Sequence, residues 1–246
     1  MIFVIVLIIT AVRIKSMDSH RISGRILAEN IAGPGMLRLV EQSMQAQARK
    51  TSVTEIAVKE RKHPQAALTF DDGPDIRYTP LLLDGLKERN VRVSFFLLGE
   101  KVEQYPELVE RMQKEGHLVG NHTYHHVQLN KLNETKAREE ILKTNNLIYE
   151  TTGVYPLYLR PPFGAWKKNL ELCVEMLPVF WTIDTLDWKV QNTEKIVRTV
   201  QEQIEDGAII LMHDEYDTSV EAALQVVDEL KNQGYELVTV DQLILP

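Results

Sequence analysis

Residues 66–74 read AALTFDDGP. Five apolar or β-branched side chains of strand length run directly into two carboxylates and a Gly-Pro turn, the form of a buried strand with polar groups at its downstream end. The same form recurs in VRVSFFLLG (91–99), HLVGNHT (117–123), YLRPPFG (158–164), PVFWTID (178–184), AIILMHD (208–214) and YELVTV (235–240). Amphipathic stretches at helical spacing fill the gaps, among them YTPLLLDGLKERN, YPELVERMQKEG, NETKAREEILKTNNLIYETTG, NLELCVEML, TEKIVRTVQEQIEDG and SVEAALQVVDELKNQG. Several open on Thr, Asn or Ser and close at Gly, as helices do. Strands alternating with helices predict a parallel sheet, closed as a barrel or open and doubly wound. No G-x-G-x-x-G loop follows the first strand and no Walker-A loop occurs, so nucleotide-binding versions lose ground. The expected fold is an α/β (β/α) barrel of seven or eight strands.

Reactive side chains gather where such a barrel would use them. TFDDGP ends the first strand, NHTYHH (121–126) the third, RPPFG (160–164) the fourth, DTLDW (184–188) the fifth and MHD (212–214) the sixth. In a parallel barrel all those ends share one face, which hosts the active site. Asp71 and Asp72 repel one another unless something positive compensates. They read as a general base beside a metal ligand, against the plainer reading of Asp-Asp-Gly-Pro as a turn. His122 and His126, four residues apart, chelate if the segment is helical or tightly turned. Two His and one Asp leave positions open for water and substrate. Without thiolates several divalent ions are chemically admissible, and zinc is the default because hydrolysis needs a Lewis acid. His213 suits a general acid, Asp187 can orient and charge-stabilise it, and Arg160 can pair with the base carboxylate and depress its pKa. Asp184, Phe163 and Trp188 are pocket-wall or hydrogen-bond candidates, Trp188 reading equally as core or as a sugar-stacking surface. His117, at a strand start, reads as structural, and His125 is offset from the chelating pair.

Outward from the barrel, 246 residues suit one large domain plus an appendage. The net charge of −7 argues against a nucleic-acid partner held by phosphate neutralisation. A single cysteine, Cys173, excludes an intramolecular disulfide framework and reads as a small core residue. Residues 1–12, MIFVIVLIITAV, are too short for a standard membrane span but fit a signal-peptide core. We read residues 1–16 as a signal peptide or signal anchor, 17–65 as a linker or stalk, and 66–246 as the catalytic domain, located outside the cytoplasm as a secreted or membrane-anchored protein.

Thr69-Phe70-Asp71-Asp72-Gly73-Pro74, His122-Thr123-x-x-His126, Arg160-x-Pro162-x-Gly164, Asp184-x-x-Asp187-Trp188 and Leu211-x-His213 resemble, in order, the five motifs of the polysaccharide deacetylase family (NodB homology, carbohydrate esterase family 4). The resemblance spans Ala66 to Leu245 and implies a distorted (β/α) barrel that removes acetyl from N-acetylated sugars, or from O-acetylated xylan in some members. It implies Asp71 as base, Asp72, His122 and His126 as ligands of one divalent metal (zinc, with cobalt or another divalent ion as alternatives), and His213 as acid. Arg160 would hold the base and Asp187 tune His213. Trp188 and Leu211 would wall the acetyl pocket, and the Phe163 N–H would bind the oxyanion. Phe163 stands where the family usually has Tyr, which keeps the backbone donor and loses a phenolic OH. The expected partner is an acetylated glycan polymer, most readily peptidoglycan, with chitin oligomers or acetylxylan as alternatives and an inactive carbohydrate-binding protein as the remote one. No protein partner is expected, and residues 1–12 are a candidate membrane tether.

Overall fold

The computed structural model describes residues 62–166 and 176–244. The N-terminal apolar segment, the expected linker or stalk as far as residue 61, and Cys173 lie outside the described residues.

β1 (Gln65–Asp71) is the axis of the domain. Ala66, Leu68 and Phe70 join the large core cluster, while Ala67 packs in a second, smaller one. Alternation along the strand thus sends one set of side chains to the helices and the other to the barrel interior, as the two-residue period of a strand requires. β2 (Ser94–Leu97), β3 (Leu118–Asn121), β4 (Tyr158–Leu159) and β5 (Leu177–Pro178) follow on one side of β1. On the other lie β7 (Ala208–His213) and β6 (Ile183–Asp184). The order is β5-β4-β3-β2-β1-β7-β6, and every pair is parallel. β8 (Glu236–Leu237) pairs with Gln65 and Ala66, filling the lower end of the β1 edge whose upper end carries β2.

The helices are α1 (Tyr78–Glu88), α2 (Gly99–Gln104), α3 (Pro106–Lys114), α4 (Glu134–Thr152), α5 (Asp187–Val190), α6 (Thr193–Gln203), α7 (Asp217–Asn232) and α8 (Val240–Ile244). Asn133 caps α4 by accepting from the Lys136 N–H, and Gly153 ends it at φ 73°, a conformation glycine adopts without strain. Asn192 caps α6 through the Lys195 N–H. Leu82, Leu83 and Leu86 of α1, Val109 and Met112 of α3, and Val226, Val227 and Leu230 of α7 meet Phe70 and Phe95 in the main core. The two Phe rings stack at 5.5 Å, and truncating either to Ala would cost about 3–5 kcal/mol.

The sheet is an open, eight-stranded version of the expected barrel. The run 178–184, expected as one strand, is two edge pieces with Pro178 in the first. Residues 179–182 cross between the edges, and no strand pair joins β5 to β6 among the described residues. Three further expectations are corrected. The second strand stops at Leu97 because Gly99 opens α2, whereas the sequence had it running to residue 99. The helix expected over 169–177 lies mostly outside the described residues, and its expected last residue, Leu177, is in β5. The run 235–240 gives only two strand residues before the turn into α8.

Candidate active site

Register brings the site together. Asp71 lies opposite His213, and Thr69 opposite Leu211, so these four side chains share the interior face of β1 and β7. Asp71 ends β1 as a buried carboxylate, and Asp72 turns away from it in the left-handed region at φ 69°.

Arg160 leaves β4 with its side chain 0% exposed. One guanidinium nitrogen donates to Asp71 Oδ1 at 2.8 Å and to Thr69 Oγ1 at 2.6 Å, and the other to the Phe180 carbonyl. Its guanidinium lies 4.3 Å from the centre of the Phe96 ring, a cation–π contact. The pairing with Asp71 is the one expected, and Arg160 does pull that carboxyl downward, but the net shift goes the other way. Burial pushes the Asp71 carboxyl above the usual carboxylate range, against the opposing pull of Arg160 and His213. The sequence shows a partner's charge and cannot show the depth at which the pair is buried.

His122 and His126 sit on the turn after β3, which is not helical. The chain doubles back through Thr123 at φ 68° and His126 at φ 54°. The ring Nδ1 of His122 donates to the Arg160 carbonyl at 2.6 Å, which leaves Nε2 with its lone pair facing the site. Burial lowers the His122 pKa to about 3, so the ring is neutral. Nε2 of His122 and Nε2 of His126 each lie 3.4 Å from Asp72 Oδ1. That oxygen is buried and has no hydrogen-bond partner among the described residues. Two imidazole lone pairs and an orphaned carboxylate oxygen within 4.8 Å of one another fit a divalent cation, which would resolve both the orphaned oxygen and the convergence of lone pairs.

The remaining dyad faces this set. Asp187, the first residue of α5, holds His213 twice: Oδ1 accepts from the ring Nδ1–H and Oδ2 from the backbone N–H, both at 2.8 Å. His213 Nε2 is 3.9 Å from Asp72 Oδ2. Asp187, Asp71 and Asp72 outweigh burial and raise the His213 pKa to about 9. Asp184 accepts from the Leu186 N–H at 3.0 Å and so shapes the turn into Asp187. Around the rim, the Phe163 ring is 62% exposed and lies 4.5 Å from His126, and Trp188 is 49% exposed, which removes the core reading for it. Leu211 is buried on the same face as His213. His117 lies at the other end of β3, where its Nδ1 accepts the Val93 N–H. His125 is turned to Glu140.

The structure therefore brings Asp71, Asp72, His122, His126, Arg160, Asp187 and His213 to one place. Sequence reasoning gave Thr69 no role of its own, although its hydroxyl accepts from Arg160 and donates to the Ile210 carbonyl at 2.7 Å. Its position two residues before Asp71, on the same strand face, was the available signal.

A family model described as polysaccharide deacetylase matches residues 58–180. The peptidoglycan-N-acetylglucosamine deacetylase PgdA of Listeria monocytogenes is 42% identical over 185 residues, 75% of this chain and 40% of that protein. A peptidoglycan-N-acetylglucosamine deacetylase of Bacillus cereus is 40% identical over 186 residues, covering 73% and 68% of the two chains. The solved structure of the peptidoglycan deacetylase PdaC from Bacillus subtilis superposes with a TM-score of 0.72 at 42% identity, covering 74% of this chain and 91% of that one. The match thus spans well under half the length of the Listeria relative.

Proposed function

This chain belongs to the polysaccharide deacetylase family, and on that premise we propose that it is a metal-dependent hydrolase that removes N-acetyl groups from N-acetylglucosamine-type residues of peptidoglycan, with release of acetate. The observation that carries the reading is the convergence of the Asp72, His122 and His126 ligand set with the Asp71–Arg160 and His213–Asp187 pairs at one end of the sheet. The peptidoglycan substrate is supported by the relatives named above.

Asp72, His122 and His126 would hold the ion, zinc in our reading. When bound, such an ion supplies a Lewis acid for the acetyl carbonyl. Asp71 takes a proton from the attacking water. Its burial makes it a stronger base than a solvated carboxylate, while Arg160 fixes its orientation. The Phe163 N–H helps to hold the developing oxyanion. His213, kept protonated by Asp187, gives its Nε2 proton to the departing sugar nitrogen as the C–N bond breaks. The products are acetate and a free amine, and the proton taken by Asp71 balances the one given by His213. Leu211 closes the acetyl pocket from the interior face, and the exposed faces of Trp188 and Phe163 offer flat surfaces to sugar rings. An extracytoplasmic location, with residues 1–12 as export signal or tether, places the enzyme beside that polymer.

The test is acetate release by the full chain, metal-stripped and then resupplied with zinc or cobalt, on peptidoglycan, chitin pentamer and acetylxylan in parallel. Metal-dependent release from peptidoglycan is the expected result. Release from acetylxylan alone would make the protein an O-acetyl esterase. Silence on all three with stoichiometric metal bound would overturn the enzymatic reading.

A further inference from the structure

The turn that carries His122 and His126 is strained, and something must hold it. Thr123 at φ 68° and His126 at φ 54° both lie in the left-handed region, which costs a residue with a side chain conformational energy. From one side the start of α2 grips the turn's carbonyls. The Gly99 N–H donates to Thr123 O at 2.9 Å and the Glu100 N–H to Tyr124 O at 3.3 Å. Gly99 allows that approach, since a Cβ there would collide with the Tyr124 ring and the Thr144 hydroxyl. From the other side a single carboxylate oxygen receives both of the turn's central amides. Glu140 Oε2, on α4, accepts the Tyr124 N–H at 3.0 Å and the His125 N–H at 2.9 Å, while Oε1 meets His125 Nδ1 at 2.8 Å. The Glu140 side chain is 16% exposed, so these bonds are largely shielded from water.

We propose that Glu140 is the positioning residue of the metal centre: its carboxylate clamps the amides of residues 124 and 125 and so fixes the distance between the His122 and His126 rings. It touches neither ligand ring, and it acts through the backbone between them. Two charge-assisted hydrogen bonds onto consecutive amides are roughly twice as strong as neutral ones, and they lock the peptide planes on which His126 depends. Thr123 keeps its bonds to Asn121 Oδ1 and the Gly99 N–H without them, but the left-handed His126, just past the freed amides, relaxes toward ordinary backbone and its ring leaves Asp72. The inference rests on the reading of Asp72, His122 and His126 as ligands.

The experiment measures zinc affinity of the metal-stripped full chain by competition with a chromophoric chelator, with the visible spectrum of the cobalt form as the record of ligand geometry. Glu140→Ala is expected to lose about 10–100-fold in affinity and to change the cobalt spectrum, the range known for residues that orient metal ligands. Glu140→Gln keeps a carbonyl oxygen for both amides and is expected to stay within about fivefold of the wild type. His125→Ala removes the ring contacts to Oε1 and to Tyr124 but leaves both clamped amides, and is expected to bind zinc as the wild type does. Wild-type affinity in Glu140→Ala, or equal losses in the Ala and Gln variants, overturns the clamp while the ligand reading stands. Absence of stoichiometric zinc in the wild type overturns the ligand reading and the clamp with it. Should Glu140→Ala not fold, Glu140→Asp, which withdraws the oxygens by one methylene, makes the same test, and unchanged affinity there is equally fatal.

Discussion

His117 offers a prediction whose size follows from the structure. The residue precedes β3 at the end of the sheet away from the carboxylates and is 4% exposed. Its Nδ1 accepts the Val93 N–H at 3.1 Å, and its ring meets Phe95 edge-on at 5.4 Å. Protonation would bury a charge and remove that acceptor, and burial lowers its pKa from 6.5 to about 4 despite the favourable nearness of Glu115. The unfolded chain therefore takes up a proton near pH 6.5 that the folded one refuses until about pH 4. Between those limits the unfolded state binds more protons, so stability falls as pH falls. The full effect of a 2.5-unit depression is about 3.4 kcal/mol, and about 2.5 kcal/mol of it is spent between pH 8 and pH 4.5. His117→Asn isolates the effect, since its amide oxygen can accept the Val93 N–H and nothing titrates. Asp214, whose pKa burial raises to about 7, loses stability in the opposite direction as pH rises from about 4 to 7, and His122 also titrates, but both are common to the two proteins and cancel in the difference. Urea unfolding of metal-stripped wild type and variant at pH 8, 6.5, 5.5 and 4.5 should show the variant less stable at pH 8, through lost ring packing, and gaining on the wild type by about 2.5 kcal/mol at pH 4.5. A stability difference independent of pH, or one that moves the other way, refutes the reasoning.

Three further outcomes are expected at the site. Asp71→Asn should lower acetate release by about 10²–10⁴-fold, the usual worth of a general base, while zinc stoichiometry stays at that of the wild type by elemental analysis. Asp187→Asn removes the largest of the interactions that keep His213 protonated, so the alkaline limb of the kcat–pH profile should move to lower pH; an unmoved limb would show that Asp187 does not tune His213. Trp188→Ala, at a half-exposed position, should leave the unfolding free energy from urea titration within about 0.5 kcal/mol of the wild type and raise KM for polymeric substrate.

Legibility in the sequence followed the length of the elements. β1 and β7 are long enough, at seven and six residues, for their apolar runs to announce them. β4 holds only Tyr158 and Leu159 because Pro161 and Pro162 supply no N–H to a ladder, and the run 158–164 read as a strand by its side chains alone. The residues that end strands were legible because the parallel topology needs no distances to place them on one face. Side-chain type also named the partner of Asp71, but the direction of its pKa depends on desolvation, which no motif encodes. Glu140 lay beyond reach for a related reason. It sits within an amphipathic helix where an acidic residue is unremarkable, and its role exists only because the turn after β3 folds back against that helix.

Arg160 shows why the motifs act as one unit. Its guanidinium orients the Asp71 carboxylate and its own carbonyl orients the His122 ring, so one backbone position, at the end of β4, sets both the proposed proton acceptor and the proposed ligand. Thr69 and the Phe180 carbonyl hold the guanidinium in turn, which ties β1 and the crossing segment 179–182 to the same residue. β1 carries Asp71 and, paired with β7, sets it opposite His213, whose Asp187 partner begins α5. A displacement of Arg160 would therefore disturb the base and the ligand together and leave the His213–Asp187 pair intact. The site divides physically into an Arg160-centred half that holds Asp71 and His122 and an Asp187-centred half that holds His213, and the two meet across Asp72.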